Sequence, residues 1–163
     1  RKKGATIFGY YVRDPENYGV AEFNSKGNVI KVEEKPKKPK SNYAITGLYF
    51  YDNLVLDIAA SLKPSKRGEL EITDLNLSFL NDGKLRAVEL ERNITWLDSG
   101  THESLLDSSN FIAAIEKRQG YKVACLEEVA FNMGFVSGDE IAHTIEAMPR
   151  SPYRSYCERA ILG

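Results

Sequence analysis

The stretch VAEFNSKGNVIKVEEKP, residues 20–36, decides how the first part of the chain folds. Two short apolar runs, 20–23 and 29–32, flank a turn segment that contains Gly27, a pattern typical of a β-hairpin. The second run leads into Glu33-Glu34-Lys35-Pro36. Since proline cannot donate a hydrogen bond to a neighbouring strand, we expect the strand to end there.

Further strands are predicted on either side of this hairpin. The segments that share a richness in β-branched and aromatic residues are 4–12, 44–51 and 84–90, with shorter candidates at 95–97 and 122–125.

Helical patterns occupy the middle and the end of the chain. Apolar residues recur every four positions at Leu54, Ile58 and Leu62, and again at Leu75 and Phe79. A longer helix is predicted from Thr101 to Arg118, with Leu105, Ile112 and Ile115 facing inward and Gly120 at its end. Three more are predicted at 127–133, 139–148 and 152–162. This order predicts an α/β sheet domain followed by a small helical tail.

Composition excludes several classes of function. The chain has 163 residues with a formal net charge of −1, so no overall field favours nucleic acid or an anionic membrane. No apolar run approaches membrane-spanning length. Cys125 and Cys157 lack the spacing of a zinc site, and two free thiols indicate a reducing, cytoplasmic setting.

Glu34 and Lys35 are the first candidates for chemistry. A lysine ammonium suits a phosphate, and a glutamate carboxylate accepts hydrogen bonds from sugar hydroxyls. The alternative is a solvated run of charges at a strand end. Strict alternation would also place the two side chains on opposite faces, so both can serve one site only if the strand ends at this point.

Asp98 is the second candidate, in the run Trp96-Leu97-Asp98-Ser99-Gly100-Thr101. A carboxylate before a helix can bind a hard cation such as Mg²⁺, with Trp96 on the same side of an extended segment. Alternatively, Asp98 caps the helix that starts near Thr101.

Other polar residues have simpler interpretations. Tyr18-Gly19 ends a turn, although glycine also lets a backbone approach a ligand. The acids of 67–74 are expected to cap a helix, and His102 and His143 are expected to be exposed helix residues.

The order and spacing of these motifs resemble the C-terminal part of the glucose-1-phosphate thymidylyltransferases, a family of sugar nucleotidyltransferases. The resemblance rests on nine blocks: 4–10, 14–15, 18–20, 33–36, 39–44, 46–52, 67–74, 96–102 and 116–124. It implies part of a nucleotide-diphospho-sugar transferase domain, with a Rossmann-like mixed sheet, over residues 1–124. A helical tail over 125–163 would complete the chain.

The resemblance also implies roles for individual residues. Tyr18, Gly19 and Glu34 would hold the sugar, Ile45 would pack against it, and Tyr49 would line the pocket and reach the phosphate. Lys35 would bind the sugar phosphate, Asp98 would be one of two carboxylates on Mg²⁺, and Trp96 would shape the adjoining wall.

The reaction implied is the attack of glucose 1-phosphate on dTTP, giving dTDP-glucose and pyrophosphate in a homo-oligomer, commonly a tetramer. The family's glycine-rich nucleotide loop and its other Mg²⁺ carboxylate precede the region that Arg1 begins, so we expect this chain alone to be inactive. One alternative is a non-catalytic module that binds a sugar phosphate or assembles a complex; another is the same reaction with a different base or sugar. Arg92 and Glu128 fall near the second nucleotide site that some family members carry.

Overall fold

The computed structural model describes residues 3–65 and 68–163. It divides into two units, the first ending at Trp96 and the second running from Leu97 to Gly163. The division into parts 1–124 and 125–163 stays a prediction. Arg67, the first residue of the predicted capping block, lies outside the described residues.

The first unit is a mixed sheet with helices. Its strands are β1 (Ala5–Tyr11), β2 (Gly19–Phe23), β3 (Val29–Glu34), β4 (Tyr43–Tyr51) and β5 (Leu85–Glu89); its helices are a 3₁₀ turn (Pro15–Asn17), α1 (Leu54–Ser61) and α2 (Ile72–Asn81). The strand order is β3-β2-β4-β1-β5. Strand β5 is parallel to β1 and the other neighbours are antiparallel, which confirms the predicted α/β class.

The hairpin of β2 and β3 positions the candidate site. Gly27 has a φ of 75°, and the Oδ1 atom of Asn24 accepts hydrogen bonds from the backbone of Lys26 and Asn28, so the turn forms as its residues predict. The register places Gly19 opposite Glu34, at the ends of the two strands. A glycine therefore lies beside the first candidate carboxylate.

The core of this unit lies between the sheet and α2. Ile7, Ala21 and Ile45 are buried in one cluster, against which Leu77 and Leu80 of α2 pack. Leu75 and Phe79 are buried as their spacing predicts. The helix that the Leu54, Ile58 and Leu62 spacing predicts forms as α1, although Leu54 itself is exposed. Val55 packs against the core instead, together with Ile58 and Leu62.

The second unit is helical. It contains α3 (His102–Gln119), α4 (Leu126–Asn132), α5 (Gly138–Ala147) and α6 (Pro152–Cys157), followed by a π-helical turn (Glu158–Leu162). The core members are Cys125, Ile141, Ile145, Tyr156 and Cys157. Gly120 ends α3 with a φ of 76°, as predicted. Within the described residues, no helix is both long and apolar enough to cross a lipid bilayer.

Three local predictions were wrong. Residues 95–97 and 122–125 form no strand, and Ala124 adopts a φ of 55°, which belongs to a turn. An apolar run needs a neighbouring strand to pair with, and its composition does not reveal one. Leu105, expected to face inward, is exposed, and α3 has no fully buried residue.

Candidate functional site

Glu34 is the best-anchored polar group of the predicted site. It is the half-buried last residue of β3, and the buried Thr73 hydroxyl in the first turn of α2 donates a hydrogen bond to its Oε2 atom at 2.6 Å. Its neighbour Glu33 is exposed and pairs with Lys31. Because strand residues alternate between faces, the description as a solvated charge fits Glu33 but not Glu34.

Gly19 brings its backbone close to this carboxylate. A Cβ atom added at Gly19 would lie 3.1 Å from Glu34 Oε2, 3.5 Å from Thr73 Oγ1 and 3.8 Å from Ile45 Cδ1. The first distance is tighter than an ordinary Cβ contact, so a side chain here would have to displace the Glu34 carboxylate, and glycine permits the close approach. Gly19, Glu34, Thr73 and Ile45 therefore border one small cradle.

Tyr49 lies near Glu34 in the first unit. Burial, and secondarily the negative charge of Glu34, raise the pKa of the Tyr49 phenol. Its ring stacks on Tyr51 at a centroid distance of 5.9 Å. Tyr51 in turn donates a hydrogen bond to Asn76 of α2 at 2.7 Å. The phenol of Tyr49 is thus a neutral hydrogen-bonding group close to a carboxylate.

Trp96 lies between two tyrosine rings. Its centroid is 5.3 Å from that of Tyr18 and 5.7 Å from that of Tyr10. The Tyr18 carbonyl accepts a hydrogen bond from the Lys35 backbone at 3.0 Å. This links the aromatic group to the segment that follows Glu34, so the structure brings together Tyr18, Trp96 and the Glu34–Lys35 segment.

Lys35 has an unusual backbone conformation. Its φ of 41° lies in the left-handed region, and the regular strand ends one residue earlier. The strict alternation that would separate the Glu34 and Lys35 side chains is therefore broken between them. The ammonium is exposed, and the ion pairs among the described residues do not include it. Positive φ at a non-glycine residue stores strain, which is characteristic of functional positions.

Asp98 does not cap a helix. Thr101 caps α3, accepting a hydrogen bond from the Ser104 backbone, so that alternative is wrong. The Asp98 side chain is exposed, and its backbone carbonyl accepts a hydrogen bond from Ser108 at 3.2 Å. Asp98 belongs to the second unit, whereas the other predicted site residues belong to the first. Its metal-binding role stays a prediction.

Sequence reasoning missed Thr73 as part of the site. The acids of its segment were expected to cap α2, but Glu71, at the cap position, makes no side-chain cap and instead accepts a hydrogen bond from Ser65 at 2.8 Å. The available signal was a hydroxyl residue at the start of an apolar helix. That signal does not predict that the hydroxyl bonds to Glu34, which is 39 positions away in the sequence.

A concavity of about 500 Å³ lies where β1 ends and β4 begins. Its lining residues are Tyr10, Tyr11, Tyr43, Glu89, Leu90, Glu91 and Arg92. A hydrogen bond to Glu89 raises the pKa of Tyr43. Glu128 belongs to the second unit, where it accepts a hydrogen bond from Tyr156. A second nucleotide site that includes Arg92 and Glu128 stays a prediction.

Known proteins resemble this chain over most of its length. A profile of the nucleotidyl transferase family matches residues 1–115. A glucose-1-phosphate thymidylyltransferase of Xanthomonas campestris pv. campestris is 53% identical over 156 residues, which are 96% of this chain and 53% of that protein. One from Mycolicibacterium smegmatis is 51% identical over 94% of this chain and 53% of its own length. The chain spans about half the length of the curated relatives it matches.

Solved structures agree with this similarity. A Bacillus anthracis protein described as a glucose-1-phosphate thymidylyltransferase, in complex with sucrose, has a TM-score of 0.60 and 46% identity over 68% of this chain and 44% of its own. A UDP-glucose pyrophosphorylase complexed with UDP-glucose has a TM-score of 0.59 and 25% identity over 70% of this chain and 45% of its own.

Proposed function

The chain belongs to the nucleotidyl transferase family, and we propose that it forms the sugar-phosphate-binding part of a glucose-1-phosphate thymidylyltransferase. The complete protein would transfer a thymidylyl group from dTTP to glucose 1-phosphate, giving dTDP-glucose and pyrophosphate. This reaction is the first step of dTDP-sugar synthesis, including dTDP-rhamnose. Support comes from relatives of that name at 53% and 51% identity.

The single observation that carries the proposal is the cradle of Gly19, Glu34, Thr73 and Ile45. An anchored carboxylate next to an open backbone suits sugar hydroxyls, because the carboxylate accepts their hydrogen bonds and the glycine leaves them room. The apolar side chain of Ile45 supplies a surface for the sugar ring. Tyr49 would complete the wall of the cradle, and its phenol would donate a hydrogen bond to the phosphate.

Lys35 would hold the sugar phosphate. Two anions must meet when a phosphate oxygen attacks the α-phosphorus of a nucleoside triphosphate, and an ammonium group offsets their repulsion. The bond to pyrophosphate breaks as the new bond forms in line, without a covalent enzyme intermediate. Catalysis then rests on positioning and charge neutralisation. The backbone conformation of Lys35 would hold its ammonium group in place for both.

Asp98 would provide one carboxylate to Mg²⁺. Its exposed carboxylate suits a cation that usually takes one or two carboxylates together with substrate phosphates. When bound, the ion would neutralise phosphate charge. Replacing Asp98 with Asn in the complete protein should remove most turnover and leave the melting temperature near that of the wild type. Near-normal turnover in that variant would exclude the metal role.

Other properties of the complete protein are part of the proposal. We infer a cytoplasmic homo-oligomer, as the resemblance implies. The choice of base rests on resemblance alone, and the similarity to a UDP-glucose pyrophosphorylase makes UTP the competing nucleotide. Rates of pyrophosphate release measured with dTTP and with UTP would separate these two nucleotides.

The second candidate is a non-catalytic sugar-phosphate-binding or assembly module. It would use the same cradle at Gly19 and Glu34 for binding alone, without turnover. Pyrophosphate release with glucose 1-phosphate, Mg²⁺ and dTTP should be measured for the complete protein and for this chain. Release by the complete protein alone supports the enzyme, whereas release by neither supports the module.

A further inference from the structure

Two cysteines far apart in sequence meet in the core of the second unit. Cys125 stands at the N-terminal cap of α4, and Cys157 is the last residue of α6. Their Sγ atoms lie 3.8 Å apart although 32 positions separate them, and no disulfide joins them. This is direct contact between two sulfur atoms, so neither helix has to move far for a bond to form.

Polar groups converge on one of the two sulfurs. The Tyr153 hydroxyl lies 3.3 Å from Cys125 Sγ and also hydrogen-bonds to Glu127. The Glu127 carboxylate lies 3.9 Å from the same sulfur. The Glu127 carboxylate can act as a general base for the thiol proton, and the Tyr153 hydroxyl can donate a hydrogen bond to the resulting thiolate. Cys125 is therefore the sulfur placed to react first.

Cys157 has the opposite surroundings. It is fully buried in the apolar cluster formed with Ile141, Ile145 and Tyr156. Burial, and then the hydrogen bond with Cys125, raise the pKa of its thiol to about 11. At neutral pH this thiol keeps its proton, so it is not the sulfur that reacts first with an oxidant.

We propose that Cys125 and Cys157 form an oxidisable dithiol, a covalent modification site for a small peroxide, in which oxidation closes a disulfide between the start of α4 and the end of α6. Tyr153 is 37% exposed and contacts Cys125, so a rotation of its ring admits a small oxidant. In a reducing compartment such a disulfide would be transient.

The chemistry balances with hydrogen peroxide as the oxidant. The Cys125 thiol passes its proton to Glu127, and the thiolate attacks one peroxide oxygen. The O–O bond breaks, leaving a sulfenic acid, and the departing hydroxide takes the proton back as water. Cys157 then attacks the Cys125 sulfur, the S–O bond breaks, and the hydroxide leaves with the Cys157 proton. Two thiols lose two electrons, and the peroxide becomes two molecules of water.

Closing this bond would restrict the unfolded chain. The disulfide would enclose α4, α5 and α6, so the second unit should resist thermal unfolding more strongly. We expect the melting temperature of that unit to rise by several degrees on oxidation and to return on reduction.

The test is a peptide map of the folded protein after oxidation. The complete protein is reduced and then treated with hydrogen peroxide without denaturant. It is next unfolded in the presence of an alkylating reagent, which traps the free thiols, and digested with trypsin. Cys125 and Cys157 fall in different tryptic peptides, 123–150 and 155–159, so a disulfide yields one cross-linked product. The matched control is Cys157→Ser, which keeps the volume but cannot close the bond. A zinc measurement before and after chelation accompanies each sample.

Cross-linked peptide that forms at the same rate at all protein concentrations, together with the reversible rise in melting temperature, is the expected result. In the Cys157→Ser control, Cys125 should instead proceed to sulfinic acid. Three results would each overturn the proposal: both cysteines recovered in alkylated form, cross-linking seen only when denaturant is present, or a stoichiometric zinc ion that protects both thiols until it is chelated.

Discussion

The hydroxyl of Thr73 donates a hydrogen bond to Glu34 Oε2 at 2.6 Å, across 39 positions of sequence. This bond fixes a half-buried carboxylate at the end of β3, and the same Oε2 atom lies 3.1 Å from where a Cβ atom at Gly19 would be. The proposed sugar site depends on that contact more than on the number of charges around it.

Replacing Thr73 with Val should weaken the site without unfolding the protein. Valine has the shape of threonine but no donor, so the Glu34 carboxylate loses its anchor, and kcat/KM should fall about tenfold. Thr73→Ser keeps the hydroxyl and should retain most of the activity. Steady-state kinetics of the two variants, with melting curves, provide the measurement; equal activity would show that the contact is not used.

Gly19→Ala should raise the KM for glucose 1-phosphate. The new Cβ atom would lie 3.1 Å from Glu34 Oε2, so the carboxylate must shift or the cradle must fill. We expect a rise of about tenfold or more, the size expected when one hydrogen bond to a charged group is lost. Gly138→Ala is the control, because a Cβ atom added there meets nothing within 4 Å. Identical KM values for the two variants would argue against close approach at Gly19.

Lys35→Gly should make the protein more stable and less active. Glycine adopts a φ of 41° without strain, whereas other residues do so at a cost of about 1 kcal/mol or more. Urea unfolding should therefore find Lys35→Gly about 1 kcal/mol more stable than Lys35→Ala, with both variants nearly inactive. Lys37→Gly serves as the comparison and should show no such gain. A less stable Lys35→Gly would mean that the backbone is not strained.

Local patterns predicted more of the fold than of the site. The β2–β3 hairpin, the burial of Leu75 and Phe79, and the end of α3 at Gly120 follow from residues close in sequence. The strands predicted at 95–97 and 122–125 failed because a strand requires a partner elsewhere in the chain.

The parts of the site that went unpredicted are contacts between distant residues. The Thr73–Glu34 hydrogen bond and the meeting of Cys125 with Cys157 depend on how whole elements pack. No spacing rule encodes such contacts. The resemblance to a family named Gly19, Glu34 and Ile45 as site residues, but the supporting role of Thr73 required the structure.

The buried Cys157 thiol should make stability fall at alkaline pH. Its folded pKa is about 11, against an ordinary value of 9.0, so the unfolded state loses this proton first as pH rises. Stability from this group is present below pH 9 and is lost between about pH 9 and 11. Under reducing conditions, urea midpoints should decline less steeply over that interval in Cys157→Ala than in wild type. Parallel declines would show that the thiol does not contribute.

The most direct test of the proposed function compares two adjacent carboxylates. Glu34→Gln and Glu33→Gln remove the same charge one residue apart, but only Glu34 borders the cradle, and Glu33 is exposed beside Lys31. Pyrophosphate release by the complete protein should be followed while glucose 1-phosphate and dTTP are varied in turn. We predict that Glu34→Gln raises the KM for glucose 1-phosphate by about tenfold or more and leaves that for dTTP within about twofold, whereas Glu33→Gln behaves as wild type. Indistinguishable kinetics for the two variants would contradict the assignment of the sugar site.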